Sequence, residues 1–367
     1  MSDSPNREDP AALWDIFCES LKGAGDVLRR EATPKDDLTL AEGYRHLMRM
    51  VRAGFENVHE LADPLHPVLV PMVGPLLQYE GTTSDARYLH SFIDGRRNYR
   101  VTGSRGAAPL IEIGVYTGKQ GIHERSHLIM SLTEEKLEVR DGRLEVHLGP
   151  EPRSGNWIQT DENARYMMLR QYAPDWTGLE PGVFAIEAEG EVAPAPPLTL
   201  DRIRNGLEDT VSFVKNASQI WAGISDYWAG FAVNRFVPQL EADARTDIAP
   251  PSGHHFSCGY FRIAPDEALR VRFDPEAHGK AAYWSLGLAT YWYETVGWGC
   301  RESQLNSGTV QRDADGSVCA VISHRDPGQP NWLDLKGHRE GTLVFRWSRS
   351  SAPVPPIEAE LVAVSSL

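Results

Sequence analysis

The stretch from Asp313 to Trp347 reads as strand, turn, Asn-Trp, turn, strand, and a weaker copy of it runs from Asp141 to Tyr172. Both copies pass from Asp-Gly through an alternating run, a Pro/Gly loop and an Asn-Trp pair to a strand ending near Arg. The spacing between equivalent residues barely drifts: 174 from Asp141 to Asp315, 175 from Asn156 to Asn331 and from Trp157 to Trp332, and 176 from Arg170 to Arg346. Chance does not hold register over so many positions, so the pattern is an internal duplication. The chain must build two related β units, and residues that both copies keep are more informative about architecture than about chemistry.

The rest of the sequence arranges itself around that pair. From Asp85 onward the hydrophobic period is two, and runs such as YLHSFID, APLIEIGVYTG, RLEVHLG and GVFAIEAEG alternate with Gly, Pro, Asp and Asn, the rhythm of an antiparallel sandwich or jelly roll. Asp141-Gly142 between two alternating runs signals a type I′ hairpin. After residue 250, GYFRIAP, LRVRFDP, AAYWSLGLATYWYE, SVCAVISH and TLVFRW repeat the order. Upstream, AALWDIFCESLKGAGDVLRRE and LTLAEGYRHLMRMVRAGFENVHELA have helical spacing. The second places Leu40, Tyr44, Leu47, Val51 and Phe55 on one apolar stripe expected to be buried. Between the β units the linker EVAPAPPLT leads to Thr199, an N-cap for one long helix broken near Gly223 or for two helices. The expected fold is α+β, mainly β: a helical region (1–80), a first β-sandwich unit (81–192), a Pro-rich linker with a helical insertion (193–250) and a second unit (251–367).

GYFRIAPDEALRVRF, YWSLGLATYW, LNSGTVQRDADGS, HRDPGQPNWLD and GHREGTLVFRW resemble the signature of the bacterial domain of unknown function numbered 1214, over about residues 253–350, with a fainter likeness of the first unit to the upstream half of longer members. Relatives of that kind resemble tandem jelly rolls of the peptide-N-glycosidase type. The resemblance implies two β sandwiches and a glycan-hydrolase expectation, with no residue set to carry over.

Charge and cysteine content narrow the partners. A net charge of −14 on 367 residues speaks against binding a phosphate backbone, so no nucleic acid is expected. No apolar run reaches membrane-spanning length, the polar, acid-rich start lacks the regions of a signal peptide, and Cys18, Cys258, Cys300 and Cys319 show no CxxC spacing. A cytoplasmic protein that is not membrane-bound is expected.

Candidate chemistry lies mostly in the second copy. His123 and His127 fit HExxH, which on a helix binds zinc, but Gly118, Gly121 and the β-like flanks favour a polar loop, so no metal or other cofactor is expected. The duplicated Asn156-Trp157 and Asn331-Trp332 are read as loop ties and end plugs, and Asp141 and Asp315 as turn residues. The unduplicated run Thr290–Ser307 concentrates aromatic, amide and charged groups. There Tyr291, Trp292, Tyr293, Trp298, Arg301 and Asn306 are candidate ligand-binding residues, with strand alternation setting Tyr291 and Tyr293 opposite Trp292 and Glu294. Glu294, Asp326 and Asp334 are candidate catalytic carboxylates. The functional expectation is an enzyme acting on a small polar or glycan-like molecule held between the units or against the helices, with carboxylate-dependent hydrolysis as its chemistry. The alternative is a noncatalytic binding or assembly protein on a jelly-roll scaffold, with the helices serving as a homo-oligomer interface.

Overall fold

The computed structural model describes residues 11–119, 121–122, 126–238, 253–299 and 301–367, the Arg301 side chain excepted. In the first unit β1 (Val70–Pro71), β2 (Ala86–Phe92), β8 (Tyr166–Tyr172), β4 (Leu110–Tyr116) and β5 (Leu128–Thr133) lie side by side in that order. A second sheet has the order β7 (Trp157–Gln159), β6 (Arg143–Gly149), β3 (Tyr99–Gly106), β9 (Pro181–Ala188). The second unit repeats both sheets. Its five-stranded sheet runs β10 (Val237–Pro238), β11 (His254–Arg262), β17 (Glu340–Ser348), β13 (Tyr283–Ala289), β14 (Gln304–Asn306), and its four-stranded sheet runs β16 (Trp332–Asp334), β15 (Val318–Ser323), β12 (Glu267–Phe273), β18 (Ile357–Ala363). The duplication therefore holds strand for strand. It includes a short Val-Pro edge strand that opens each unit ahead of residues 81 and 251, and one parallel pair per unit, β6–β7 and β15–β16, in otherwise antiparallel sheets.

The shared Asn shows what the duplication preserves. Asn156 Oδ1 accepts from Glu138 N at 2.7 Å, and its Nδ2 donates to the carbonyls of Glu138 and Glu145 at 2.8 and 2.9 Å. Asn331 makes the same three bonds to Gln311 N, Gln311 O and Cys319 O at 2.8, 2.8 and 3.0 Å. One amide thus closes a loop onto the start of a strand in each unit. The neighbouring Trp side chains are half-buried and do not plug the sandwich ends; their indole N–H groups bond to Gly149 O and Ser323 Oγ. Asp141 and Gly142 both take positive φ, 50° and 71°, as a type I′ turn requires. In the second copy only Gly316 does, because Asp315 instead caps Ser317 N at 3.0 Å.

Each sandwich has its own apolar core, around Ile113, Val115, Leu169 and Val146 in the first and Leu286, Leu343, Phe345 and Ile322 in the second. A third core joins them. The outward faces of the two five-stranded sheets, which carry Tyr88, Tyr166, Tyr172, Tyr260, Tyr283 and Val344, pack with Phe213, Trp221 and Trp228 of α3 (Leu200–Phe231). This helix is one unbroken rod, capped by Thr199 as expected and continuous through Gly223. Burial of Trp221, Ala222, Ile224 and Ser225 around it holds the helix through the weak glycine position. The N-terminal segment is shorter than its period suggests: α1 (Ala12–Leu21) tightens into a 3₁₀ stretch over Lys22–Arg29, where Gly23 and Gly25 lower helix propensity.

Helix α2 (Asp37–Gly54) buries its expected apolar stripe only in part, with Leu47 and Val51 packed against the shared core and Tyr44 left in solvent. Its buried face carries Glu42, Gly43, His46, Arg49 and Ala53, while Tyr44 and Met48 are 62% and 67% exposed. Buried partners let charged groups share that face with Met50 and Ala53, both fully buried. His338 Nε2 meets Glu42 Oε2 at 2.9 Å, and His46 and Arg49 meet Glu294. Among the described residues no helix is long and apolar enough to cross a membrane.

Candidate functional site

Residues 290–294 form a tight turn in place of the expected strand. Thr290 and Glu294 bond backbone to backbone at 2.8 Å, Tyr293 N donates to Thr290 O at 3.0 Å, and Tyr293 takes φ 58°. Alternation therefore does not apply, and all four aromatic and acidic side chains turn inward. Tyr291 donates to Asp226 Oδ1 at 2.6 Å, Trp292 donates to Thr39 O at 2.8 Å and stacks on His46, and Tyr293 stacks on Trp221. Glu294, 2% exposed, receives His46 Nδ1 at 2.9 Å and the Arg49 guanidinium. Gly43 is required beneath this turn, because a Cβ there would stand 2.5 Å from the Trp292 ring.

The other two proposed carboxylates are not brought to Glu294. Asp326 is exposed and accepts from Gly328 N at 2.8 Å, and Asp334, in β16, pairs with Lys336 Nζ at 2.9 Å. Both cap local turns. The Arg301 side chain and His123 lie outside the described residues. His127 is exposed, and among the described residues no three His, Cys, Asp or Glu side chains are grouped as a metal site would need.

Two of the proposed ligand residues, Trp298 and Asn306, line a cavity of about 650 Å³ between the units. That lies inside the range of roughly 300–1,000 Å³ common to small-molecule sites. Its walls come from the Pro71–Pro75 segment, the start of β2, the loop after β8, and the second unit's Gln304, Asn306 and Thr309. Asp85 sits at the seam. Its Oδ2 accepts from Tyr283 Oη at 2.7 Å and Asn306 Nδ2 at 2.8 Å, both from the other unit. Its backbone carbonyl accepts Trp176 Nε1 at 2.9 Å, which sets the indole against the cavity, and the Arg87 guanidinium lies over that ring at 4.7 Å. Burial pushes the Asp85 carboxyl above its ordinary range, against the opposing hydrogen bonds from Tyr283, Asn306 and Gln304 and the charge of Arg346. A carboxyl raised above its ordinary range, two indoles, amides and a guanidinium in one wall make a site for stacking and hydrogen-bonding a polar molecule and for moving a proton.

A second concentration of charge is closed to solvent. Glu112 of β4 meets His254 Nε2 at 3.1 Å and Arg349 Nη1 at 3.4 Å, both from the other unit, while Ser348 Oγ lies 2.8 Å from His254 Nδ1. Burial alone would raise the Glu112 carboxyl, but the His254 hydrogen bond and the charges of Arg170 and Arg349 outweigh it and hold it at about 2. Serine, histidine and glutamate are thus in contact, yet Ser348 is 1% exposed and no substrate reaches it. The cluster joins the two sandwiches.

Comparison with known proteins agrees with this architecture. A family described as "Protein of unknown function (DUF1214)" matches residues 80–176 and 262–351, one segment in each sandwich. The solved structure of an uncharacterized protein from Burkholderia cenocepacia is 28% identical over 97% of this chain and 98% of that chain, with a TM-score of 0.91. The VPA0106 protein from Vibrio parahaemolyticus is 12% identical over 87% of this chain and 98% of that one, with a TM-score of 0.46. No curated protein matches the chain. The match to residues 80–176 and 262–351 bears out the family, and nothing bears out the likeness to peptide-N-glycosidases.

Proposed function

The chain belongs to the DUF1214 family, and from that starting point we propose that the cleft between its sandwiches binds a small polar, glycan-like molecule, with Asp85 as the proton donor in its hydrolysis. One observation carries the reading: a carboxyl raised by burial stands in the wall of a 650 Å³ cavity among amides and indoles supplied by both units. A carboxyl whose affinity for its proton is raised can protonate a leaving oxygen, and a second carboxylate in the same wall, Asp175, can stabilise the positive charge that develops. Gln304 would orient a hydroxyl, Asn306 would hold Asp85 in place, and Trp298 would cover a sugar face.

A thermal-shift screen of neutral and acidic oligosaccharides should find a ligand that raises the melting temperature, since binding only the native state stabilises it. With that ligand, Asp85→Asn is expected to lower turnover about 100-fold or more while affinity changes little. Wild-type turnover should fall as rising pH removes the Asp85 proton. A variant that turns over at the wild-type rate would remove Asp85 from this role. We assign the protein to the cytoplasm in the same proposal, supported by Cys18, Cys258 and Cys319 being free thiols.

A second reading, assembly through the helices, is favoured by the apolar side chains that α1 and α2 leave in solvent: Trp14, Ile16, Tyr44 and Met48 are each more than half exposed. Light scattering should then report a homo-oligomer that Tyr44→Glu with Met48→Glu dissociates. A monomeric wild type would dismiss it.

A further inference from the structure

We infer that the molecule held in the inter-unit cleft carries a carboxylate, as a uronic acid does, and that Arg87 recognises it; this rests on reading the cleft as a ligand site. The cations facing the junction of the units are otherwise engaged. Arg170 donates to Tyr116 Oη, Arg346 donates to Gly81 O, and Arg349 pairs with Glu112 and Glu134. Arg87 is different: it is exposed, lines the cavity, and among the described residues its guanidinium has the Trp176 face and no carboxylate.

The stack positions that guanidinium without consuming its hydrogen-bonding capacity. A guanidinium held over an indole by its face still has its N–H groups to offer, and their planar fork matches the two oxygens of a carboxylate. Trp176 is itself fixed through its N–H to Asp85 O at 2.9 Å, so the fork is held in place before any ligand arrives. The charge count separates carboxylate from phosphate. Among the described lining residues Arg87 is the cation, and the wall also holds Asp85 and Asp175, so a singly charged carboxylate meets less repulsion there than a phosphate dianion. The chain's net charge of −14 offers no long-range attraction to an anion, so recognition depends on this local contact. The hydroxyls of a sugar acid have Gln304 and Thr309 to meet across the same cavity.

The test is calorimetric titration of the full chain with glucuronate, galacturonate and digalacturonate, each alongside its methyl ester and the neutral parent sugar. The acid should bind about tenfold or more tightly than its ester, the difference expected of a charge-assisted hydrogen bond. Arg87→Gln should bring acid and ester to equal affinity, and Arg87→Lys should restore part of the preference, since it keeps the charge and loses the fork. Added salt should weaken the acid more than the ester. If the wild type binds esters or neutral sugars as tightly as the acids, the carboxylate inference fails and the cleft remains a sugar site. If none of these sugars binds, the reading of the cleft fails and takes the inference with it. Melting curves of both Arg87 variants that overlay the wild type exclude misfolding as the cause of a loss.

Discussion

Glu112→Gln is expected to lower the stability of the protein by about 3–5 kcal/mol, the usual result of removing one partner from a buried ion pair. Glu112 has no exposed surface, and it faces Arg170, His254 and Arg349 where the two five-stranded sheets meet. The neutral amide would leave the Arg170 guanidinium without its counter-charge and Arg349 with Glu134 alone, in a region water does not reach. Unfolding by urea, followed by far-ultraviolet circular dichroism, measures the loss, and a change below about 1 kcal/mol would mean that the cluster is bystander polarity. The same carboxylate predicts a pH dependence. Its folded pKa, about 2, lies below the ordinary 4.5, so the stability it contributes is complete above pH 4.5 and drains away as pH falls toward 2. The depression corresponds to roughly 3 kcal/mol, which Glu112→Gln should remove from the acid limb of the wild-type curve. His254, pushed down by burial, acts in the same direction from near its ordinary 6.5 downward, because the unfolded chain takes up a proton that the buried ring resists.

This cluster also shows where sequence reading stops. Glu112 lies in an alternating run, and its strand was legible from period alone, but the side chain occupies a face that a lone sandwich would turn to water. Nothing local reveals that a second sheet covers it. The same holds for α2, whose apolar stripe is a sound helical signal and an incomplete burial signal, because Glu42, His46 and Arg49 are buried beside it by partners more than 200 residues away. The duplication was readable because it is a property of spacing, and the Asn156 and Asn331 clamps follow from it. The cleft was readable only on one side. Trp298 and Asn306 stood out as features the first copy lacks, whereas Asp85, Arg87 and Trp176 belong to an ordinary strand start and an ordinary loop. Their chemistry arises from the meeting of two units, and Asp85 touches Asn306 across 221 positions of chain. The asymmetry of the second copy pointed to the right neighbourhood, and the turn at Thr290 divided it into a buried half and a cavity-lining half.

The buried half supplies the second large effect. Glu294→Gln is expected to cost about 3–5 kcal/mol as well, and to act through α2, since the amide leaves the Arg49 guanidinium buried without its counter-charge. Glu294 carries the chemistry of a catalytic acid in the sequence and the surroundings of a clamp in the fold. It bonds His46 at 2.9 Å and lies beneath α2, outside the wall of the inter-unit cavity. Two measurements separate the roles. A clamp predicts that Arg49→Met combined with Glu294→Gln recovers part of the loss, because removing both charges leaves neither one stranded, with a coupling of about 0.5–3 kcal/mol in a double-mutant cycle. It also predicts faster proteolysis within Asp37–Gly54 in the single variant, the mark of a helix that opens locally. A catalytic Glu294 predicts the reverse: a variant as stable as the wild type, with additive single substitutions and lost turnover. If the acidic sugars bind the Glu294→Gln protein at wild-type affinity while α2 becomes protease-sensitive, the chemistry belongs to the seam around Asp85 and Glu294 holds the helical layer against the second sandwich.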